Sequence, residues 1–254
     1  MIPSGDLWIR YWDETEFLVD AAGTSVFASW PKRFTIDDAL VYLLGPVFGI
    51  LLRLRGRVAL HASVVEVGSL GLAFIGPAGA GKSTIAASFA GAGHAVLSDD
   101  LLALTGHDGR FFAEPGYSTL RLWPDAVRGL YGPAADFPRL AEGWEKRYTD
   151  LSNDVFCGRR VPVGCIYVIE ERVPGMRNPS VRSLNARQAL ERLIVDSYTG
   201  RYPGARQRRD EFELLSRLVS EVPVRGLQPG RGWDSLAELP GVVTRDFAEL
   251  TQVA

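Results

Sequence analysis

Residues 76–83 read Gly-Pro-Ala-Gly-Ala-Gly-Lys-Ser, a gap-free match to GxxxxGK[ST], and no other run constrains the fold as much. The pattern requires a buried strand in front and a helix behind. Both are readable: Gly71 to Ile75 (GLAFI) suits only the core of a sheet, and Lys82 to Ala90 reads as a helix closed by Gly91 and Gly93. Glycines let the backbone fold back so that its N–H groups face phosphate oxygens. Gly76, Pro77, Ala78, Gly79, Ala80, Gly81, Lys82, Ser83 and Thr84 are therefore the expected nucleotide-binding segment. In it Lys82 supplies a mobile cation, Ser83 a hydroxyl ligand for Mg²⁺, and the helix start its dipole. A glycine-rich turn that matches by accident would not carry both flanking elements.

Phosphoryl chemistry also needs carboxylates. Asp99-Asp100 ends the next expected strand, Ala95 to Ser98. Carboxylates at the end of such a strand face the triphosphate crevice, where one can hold Mg²⁺ and the other can accept a proton from an attacking hydroxyl. A surface Asp pair is the bland alternative, and the position relative to the glycine loop argues against it. His61 lies mid-way along an expected strand from Val58 to Val67, where a lone histidine is by default structural.

Charge narrows the partners. Against 30 Asp and Glu stand 28 Lys and Arg, a net charge of −2, which offers no general attraction to nucleic acid or anionic lipid. Only Lys32, Lys82 and Lys146 are lysines. Cys157 and Cys165 make no disulfide framework, and His61, His94 and His107 lack metal-ligand spacing. The most apolar run, Ala39 to Leu52, falls short of the ~20 residues of a spanning helix and contains Gly45-Pro46. It reads as a buried helix or helix pair. With no membrane segment and no secretory start, the expected compartment is the cytoplasm.

Short strands at 7–9 and 17–19, with a Thr35–Asp38 capping box ahead of a helical region to Leu54, predict a small β-rich lobe over 1–57. Residues 58–254 are expected to form the main α/β domain around a central sheet. Its further elements are a hairpin about Asp108-Gly109, a helix from Pro124 to Tyr131, and a long loop with some helix over 133–158. After these come a buried strand over 163–169, a helix capped by Asn185, and an amphipathic helix marked by Phe212, Leu215, Val219 and Val222. Arg206-Gln-Arg-Arg209 beside it is a short charge cluster of the kind found on solvated faces.

Taken together, Leu60-His61-Ala62-Ser63, the GPAGAGKST loop and Gly93-His-Ala-Val-Leu-Ser-Asp99-Asp100 resemble the catalytic domain of HPr kinase/phosphorylase, which carries a histidine ahead of its phosphate loop and a paired Asp after it. The resemblance is closer to the shorter HPr-kinase-like proteins found beside lasso-peptide biosynthesis genes, which phosphorylate a precursor peptide on serine. Their expected LHAS strand, SDD strand end, Pro115-Gly-Tyr…Arg121-Leu-Trp123-Pro124 segment and Lys146-Arg147 pair are all present. It covers roughly 58–147, weakens to about 199 and then fades.

This resemblance implies the phosphate-loop kinase fold shared with phosphoenolpyruvate carboxykinase, with a mixed central sheet. It implies an ATP- and Mg²⁺-dependent kinase acting on a serine hydroxyl of a peptide or protein, a lasso peptide precursor among them. Carried over by motif, Lys82 and the loop bind phosphates, and Ser83 and Asp99 lie on the metal side. Asp100 is then the general base, His61 tunes it, and Arg121, Lys146 and Arg147 bind the transferring phosphate or the substrate. The lack of an Asn-Lys-x-Asp motif leans toward adenine. Two departures stand out: only 57 residues precede the His61 strand, and the glycine-rich signature with a metal-binding Glu has no counterpart beyond Glu114. HPr as substrate, the reverse reaction and a hexamer are therefore not implied, and homo-oligomerisation stays open. A small-molecule kinase and a nucleotide-responsive binding module are the alternatives; 133–158 could serve as a peptide groove or as a lid and does not separate the two kinase readings, and the Asp pair argues against the module. Among the six tryptophans, Trp123 beside Arg121 is the one placed for a ligand.

Overall fold

A computed structural model describes residues 5–198 and 204–253. Leu7–Arg10 (β1), Glu16–Val19 (β2) and Val26–Ser29 (β3) form an antiparallel meander. Alternate residues point inward, so Leu7, Ile9, Phe17 and Val19 are buried. They pack against α1 (Ile36–Tyr42), a π-helical turn (Leu43–Val47) and α2 (Phe48–Leu54), whose Ala39, Tyr42, Val47 and Leu51 complete a core of their own. The capping box forms: the Asp38 carboxylate accepts from Thr35 N and Oγ1, both at 3.0 Å. Pro46 has no N–H to continue the helical ladder, and the chain answers with the wider π turn.

The expected strand over 58–67 is two strands. Val58–Leu60 (β4) and Ala62–Val67 (β5) separate at His61. A distant segment captures the backbone there: His61 N donates to Asp196 O at 2.9 Å, and Tyr198 N donates to Ala59 O at 3.2 Å. Next come Leu70–Ile75 (β6), Lys82–Gly91 (α3), Val96–Ser98 (β7), Leu102–His107 (β8) and Arg110–Ala113 (β9). Thr119–Leu122 (β10), Pro124–Tyr131 (α4), Arg147–Asp150 (β11), Val161–Ile169 (β12) and Ser180–Ser183 (β13) follow. Ala186–Val195 (α5), Ala205–Glu221 (α6), Val224–Gln228 (β14) and Gly232–Val253 (α7) complete the order.

Nine strands make one curled mixed sheet in the order β4-β8-β9-β12-β6-β5-β7, with β14 beside β12 and β13 outside it. The long strand β12 joins two parts. Its start pairs antiparallel with β9, and the rest runs parallel to β6 and β14. Because β5 is antiparallel to both β6 and β7, the strands β6, β7, β12 and β14 all point the same way. Their carboxyl ends form one rim, where ligands of open α/β sheets bind. On one face the sheet packs on Leu193, Leu215 and Leu218 of α5 and α6; on the other it packs on Ile85, Phe89, Val127, Leu239 and Val243 of α3, α4 and α7.

Two expectations need correction. Residues 133–158 contain no helix; they supply β11, which pairs with β10 as a separate ribbon. Phe212, expected on the buried face of α6, is exposed, and Leu218 is buried instead. Among the described residues, no helix is long and apolar enough to cross a membrane.

Candidate active site

The glycine loop leaves the carboxyl end of β6 and runs into α3. Gly79 and Gly81 have φ of 83° and 105°, a left-handed conformation that a side chain would strain. Lys82 Nζ, almost fully buried, donates to Gly76 O at 2.7 Å and Pro77 O at 3.1 Å. Burial pushes this ammonium below its ordinary pKa, while the carboxylates of Asp196, Asp100 and Asp99 pull the other way. A cleft of about 670 Å³ opens here, bordered by Ala78, Gly79 and Gly81 to Ile85 of the loop and α3, by His61, Asp100, Arg121 and Lys146, and by residues of α4 and α7.

The Asp pair separates into two environments. Asp100 has φ 73°, uncommon for a residue with a side chain, and the turn splits the two carboxylates. Asp99 goes inward, where it is 4% exposed and accepts from Ser63 Oγ at 2.6 Å and Arg121 N at 3.0 Å. It does not border the cleft, and each of its oxygens accepts from one of the protein's own donors. Asp100 goes outward. Its Oδ1 lies 3.0 Å from His61 Nε2, its Oδ2 lies 3.3 Å from Arg121 Nη1, and its carbonyl accepts from the Tyr198 hydroxyl at 2.7 Å. Burial alone would raise the Asp100 pKa. The hydrogen bond from His61 and the charges of His61, Arg121 and Lys146 outweigh it and hold the carboxyl at about 2.

His61 owes its position to the strand break, which turns its ring toward Asp100 and places it 5.6 Å from the Tyr198 ring. The N-terminal lobe closes over this pair through two glycines. A Cβ on Gly45 would stand 3.0 Å from Asp100 Oδ2, and one on Gly49 would stand 2.6 Å from Tyr198 Cγ.

The basic candidates divide. Arg121 and Lys146 border the cleft, the latter with Nζ 5.7 Å from the Trp123 ring centre. Arg147 does not; it donates to Glu145 O at 3.1 Å and lies 3.6 Å from Asp136. Lys146 lies just ahead of β11 and Arg147 is its first residue, and the two neighbouring cations part there. Glu114 accepts from Thr105 Oγ1 at 2.7 Å, away from the cleft. Unforeseen were Tyr198, Arg172, Trp144 and Trp233, all at the cleft or in contact with Asp100. Asp196 was also missed: burial raises its carboxyl pKa, opposed by Lys82, His61 and Arg192. These residues come from loops and helix ends without a local motif.

Among the described residues, no group of three or more His, Cys, Asp or Glu is arranged to hold a metal. Ser83, in the cleft, together with phosphate oxygens, fits the habit of Mg²⁺ to keep waters and take few protein ligands.

Fold and cleft together define an α/β protein with a strand–glycine loop–helix unit facing a His–Asp pair across one crevice. No family model matches the chain. Sequence similarity is to HPr kinase/phosphorylases: that of Mycoplasmopsis pulmonis is 32% identical over 74 residues, covering 29% of this chain and 23% of the relative. The enzyme of Aromatoleum aromaticum is 25% identical over 152 residues, covering 59% of this chain and 41% of the relative. The chain thus spans less than half the length of these curated relatives. Among solved structures, the HPr(Ser) kinase/phosphatase from Coxiella burnetii aligns with a TM-score of 0.44 and 12% identity over 77% of this chain and 93% of that one.

Proposed function

We propose that this chain is an ATP- and Mg²⁺-dependent kinase of the HPr kinase/phosphorylase type that phosphorylates a serine hydroxyl of a peptide or protein. A lasso peptide precursor is the acceptor class nearest to its motifs. One observation carries the reading: an ionised carboxylate, Asp100, is held between His61 and Arg121 in the same cleft as the glycine loop and Lys82. The sequence similarity to HPr kinase/phosphorylases supports it.

In this mechanism the loop backbone and Lys82 hold the β- and γ-phosphates of ATP, and Ser83 helps hold the Mg²⁺ that travels with them. When bound, the metal neutralises charge on the phosphate oxygens. Asp100 orients the acceptor serine and takes its proton as the serine oxygen bonds to the γ-phosphorus and the bond to the β-phosphate oxygen breaks, releasing ADP. At a pKa of about 2 this carboxylate is a weak base, so the proton moves late, once bonding to phosphorus has made the acceptor O–H strongly acidic. Arg121 and Lys146 balance charge on the transferring group. Asp99, tied to Ser63 and the Arg121 backbone, braces the base and the cation together.

The test uses γ-labelled ATP, Mg²⁺ and an extract of the source organism separated into macromolecular and small-molecule fractions. Label on serine of a peptide or protein is the expected result. Label confined to small molecules would make this a metabolite kinase, and bound nucleotide without transfer to either fraction would make it a nucleotide-responsive module.

A further inference from the structure

The cleft has a half that the chemistry at Asp100 leaves unused. In sheet order, β5 and β7 lie on one side of β6, and β12 and β14 lie on the other. The glycine loop after β6 therefore divides the rim, with Asp100 beyond β7 on one side and Pro229-Gly230 beyond β14 on the other. Around Asp100 the walls are charged. Elsewhere in the cleft the lining includes the apolar side chains of Ile85, Ala126, Pro229, Trp233, Leu236 and Leu239, with Arg172, Asp125 and Ser235 as polar groups among them. Such an apolar surface suits an aromatic ring system better than phosphate oxygens.

Trp233 is the fixed feature of that half. It stands at the start of α7 and is 45% exposed. Its indole rests on the bare backbone of Gly129 in α4, where an added Cβ would run at once into Cδ2, Cε2 and Cζ2. Meeting three ring atoms together means that a face of the indole, not its edge, abuts the helix. The base of α7 is in turn tied to α3 by Ser88 Oγ donating to Leu236 O at 2.9 Å. A rigid indole thus bridges α4 and α7 beside the first turn of α3. By contrast the Trp123 ring is already engaged by the Lys146 ammonium.

We propose that Trp233 is the stacking platform of a nucleobase subsite, which takes the purine ring of a nucleoside triphosphate whose phosphates lie on the glycine loop. This inference rests on the nucleotide reading above and assigns the end of the ligand that reading leaves open. With the γ-phosphate directed at Asp100, ribose and base run the other way, over the ends of β12 and β14. Asp125, at the start of α4 and on the same wall, offers a carboxylate acceptor to an exocyclic amine of the purine.

Calorimetric titration of the full chain with Mg²⁺ separates the subsites, using the β,γ-imido analogue of ATP in one series and inorganic tripolyphosphate in another. Trp233→Ala is expected to weaken the analogue by roughly 5- to 150-fold, the range of base–aromatic stacking, and to leave tripolyphosphate unchanged. Trp233→Phe should restore most of the lost affinity, because it keeps an aromatic face on Gly129. Equal weakening of both ligands would show that the indole supports the loop or the fold, and would overturn the subsite. Undiminished binding of the analogue to Trp233→Ala would overturn it as well. If neither ligand bound the unmodified chain, the nucleotide reading itself would fail.

Discussion

Removing the His61 side chain should raise the pKa of Asp100, and the size of the change follows from the contacts. Asp100 is held at about 2 against an ordinary 3.8, a preference for the charged form worth about 2 kcal/mol at ~1.4 kcal/mol per unit. Burial works against this preference, and His61 supplies the two largest favourable contributions, its hydrogen bond and its charge. In His61→Ala the burial remains and the charges of Arg121, Lys146 and Lys82 still favour the carboxylate, with Tyr117, Tyr198 and Asp99 nearby offering no positive charge. The pKa should rise by at least about one unit. His61→Gln, which keeps a donor but no charge, should fall between. The assay is a ¹³C titration of aspartate-labelled apo protein, with Asp100 assigned from Asp100→Asn. The linked effect on stability has a definite sign: a depressed carboxylate pKa stabilises the fold above pH 3.8, and that contribution is lost as pH falls toward about 2. A wild-type Asp100 that titrates at 3.8 or above, or one that does not move in His61→Ala, would show that His61 does not hold this carboxylate in its charged form.

Three further outcomes follow. Tyr198→Phe removes the 2.7 Å hydrogen bond to the Asp100 carbonyl and frees its left-handed backbone. Turnover should fall about 5- to 10-fold, for a bond worth roughly 1 kcal/mol, with nucleotide affinity unchanged. A matching loss of affinity would show that Tyr198 acts on the whole cleft. Gly49→Ala should lower Tm by roughly 2–10 °C despite alanine's better helix propensity, because its Cβ would stand 2.6 Å from Tyr198 Cγ and force about 1–3 kcal/mol of overpacking. An unchanged or higher Tm would mean that the lobe shifts freely. Cys157 and Cys165 should resist thiol reagents in the native protein, since both are buried and burial pushes Cys165 up to about 12. Rapid native labelling of Cys165 would contradict its placement.

What the sequence reveals here is local. The strand, loop and helix around Lys82 are legible because each residue type answers a backbone need of that turn. The Asp pair is legible because it follows the next strand. Their division of labour was not: nothing in Asp99-Asp100 says which carboxylate turns inward, since that depends on the left-handed backbone of Asp100 and on Ser63 and Arg121 arriving from elsewhere. His61 looked like a mid-strand residue because Val58 to Val67 is uniformly β-prone; the break comes from Asp196 and Tyr198, more than 130 positions away. Arg147 and Lys146 look equivalent in the sequence, but Arg147 is taken into the pairing with β10 and Lys146 is not. Trp233 had no signal at all, because its meaning comes from Gly129 on another helix.

In the proposed kinase, Asp100 serves transfer while the glycine loop and Lys82 serve binding. Measured side by side, nucleotide affinity and label transfer from γ-labelled ATP test it in Asp100→Asn and Lys82→Ala. Asp100→Asn should bind nucleotide as the unmodified chain does and lose about 10²- to 10⁴-fold in transfer, whereas Lys82→Ala should lose both. Transfer that survives in Asp100→Asn would contradict the account.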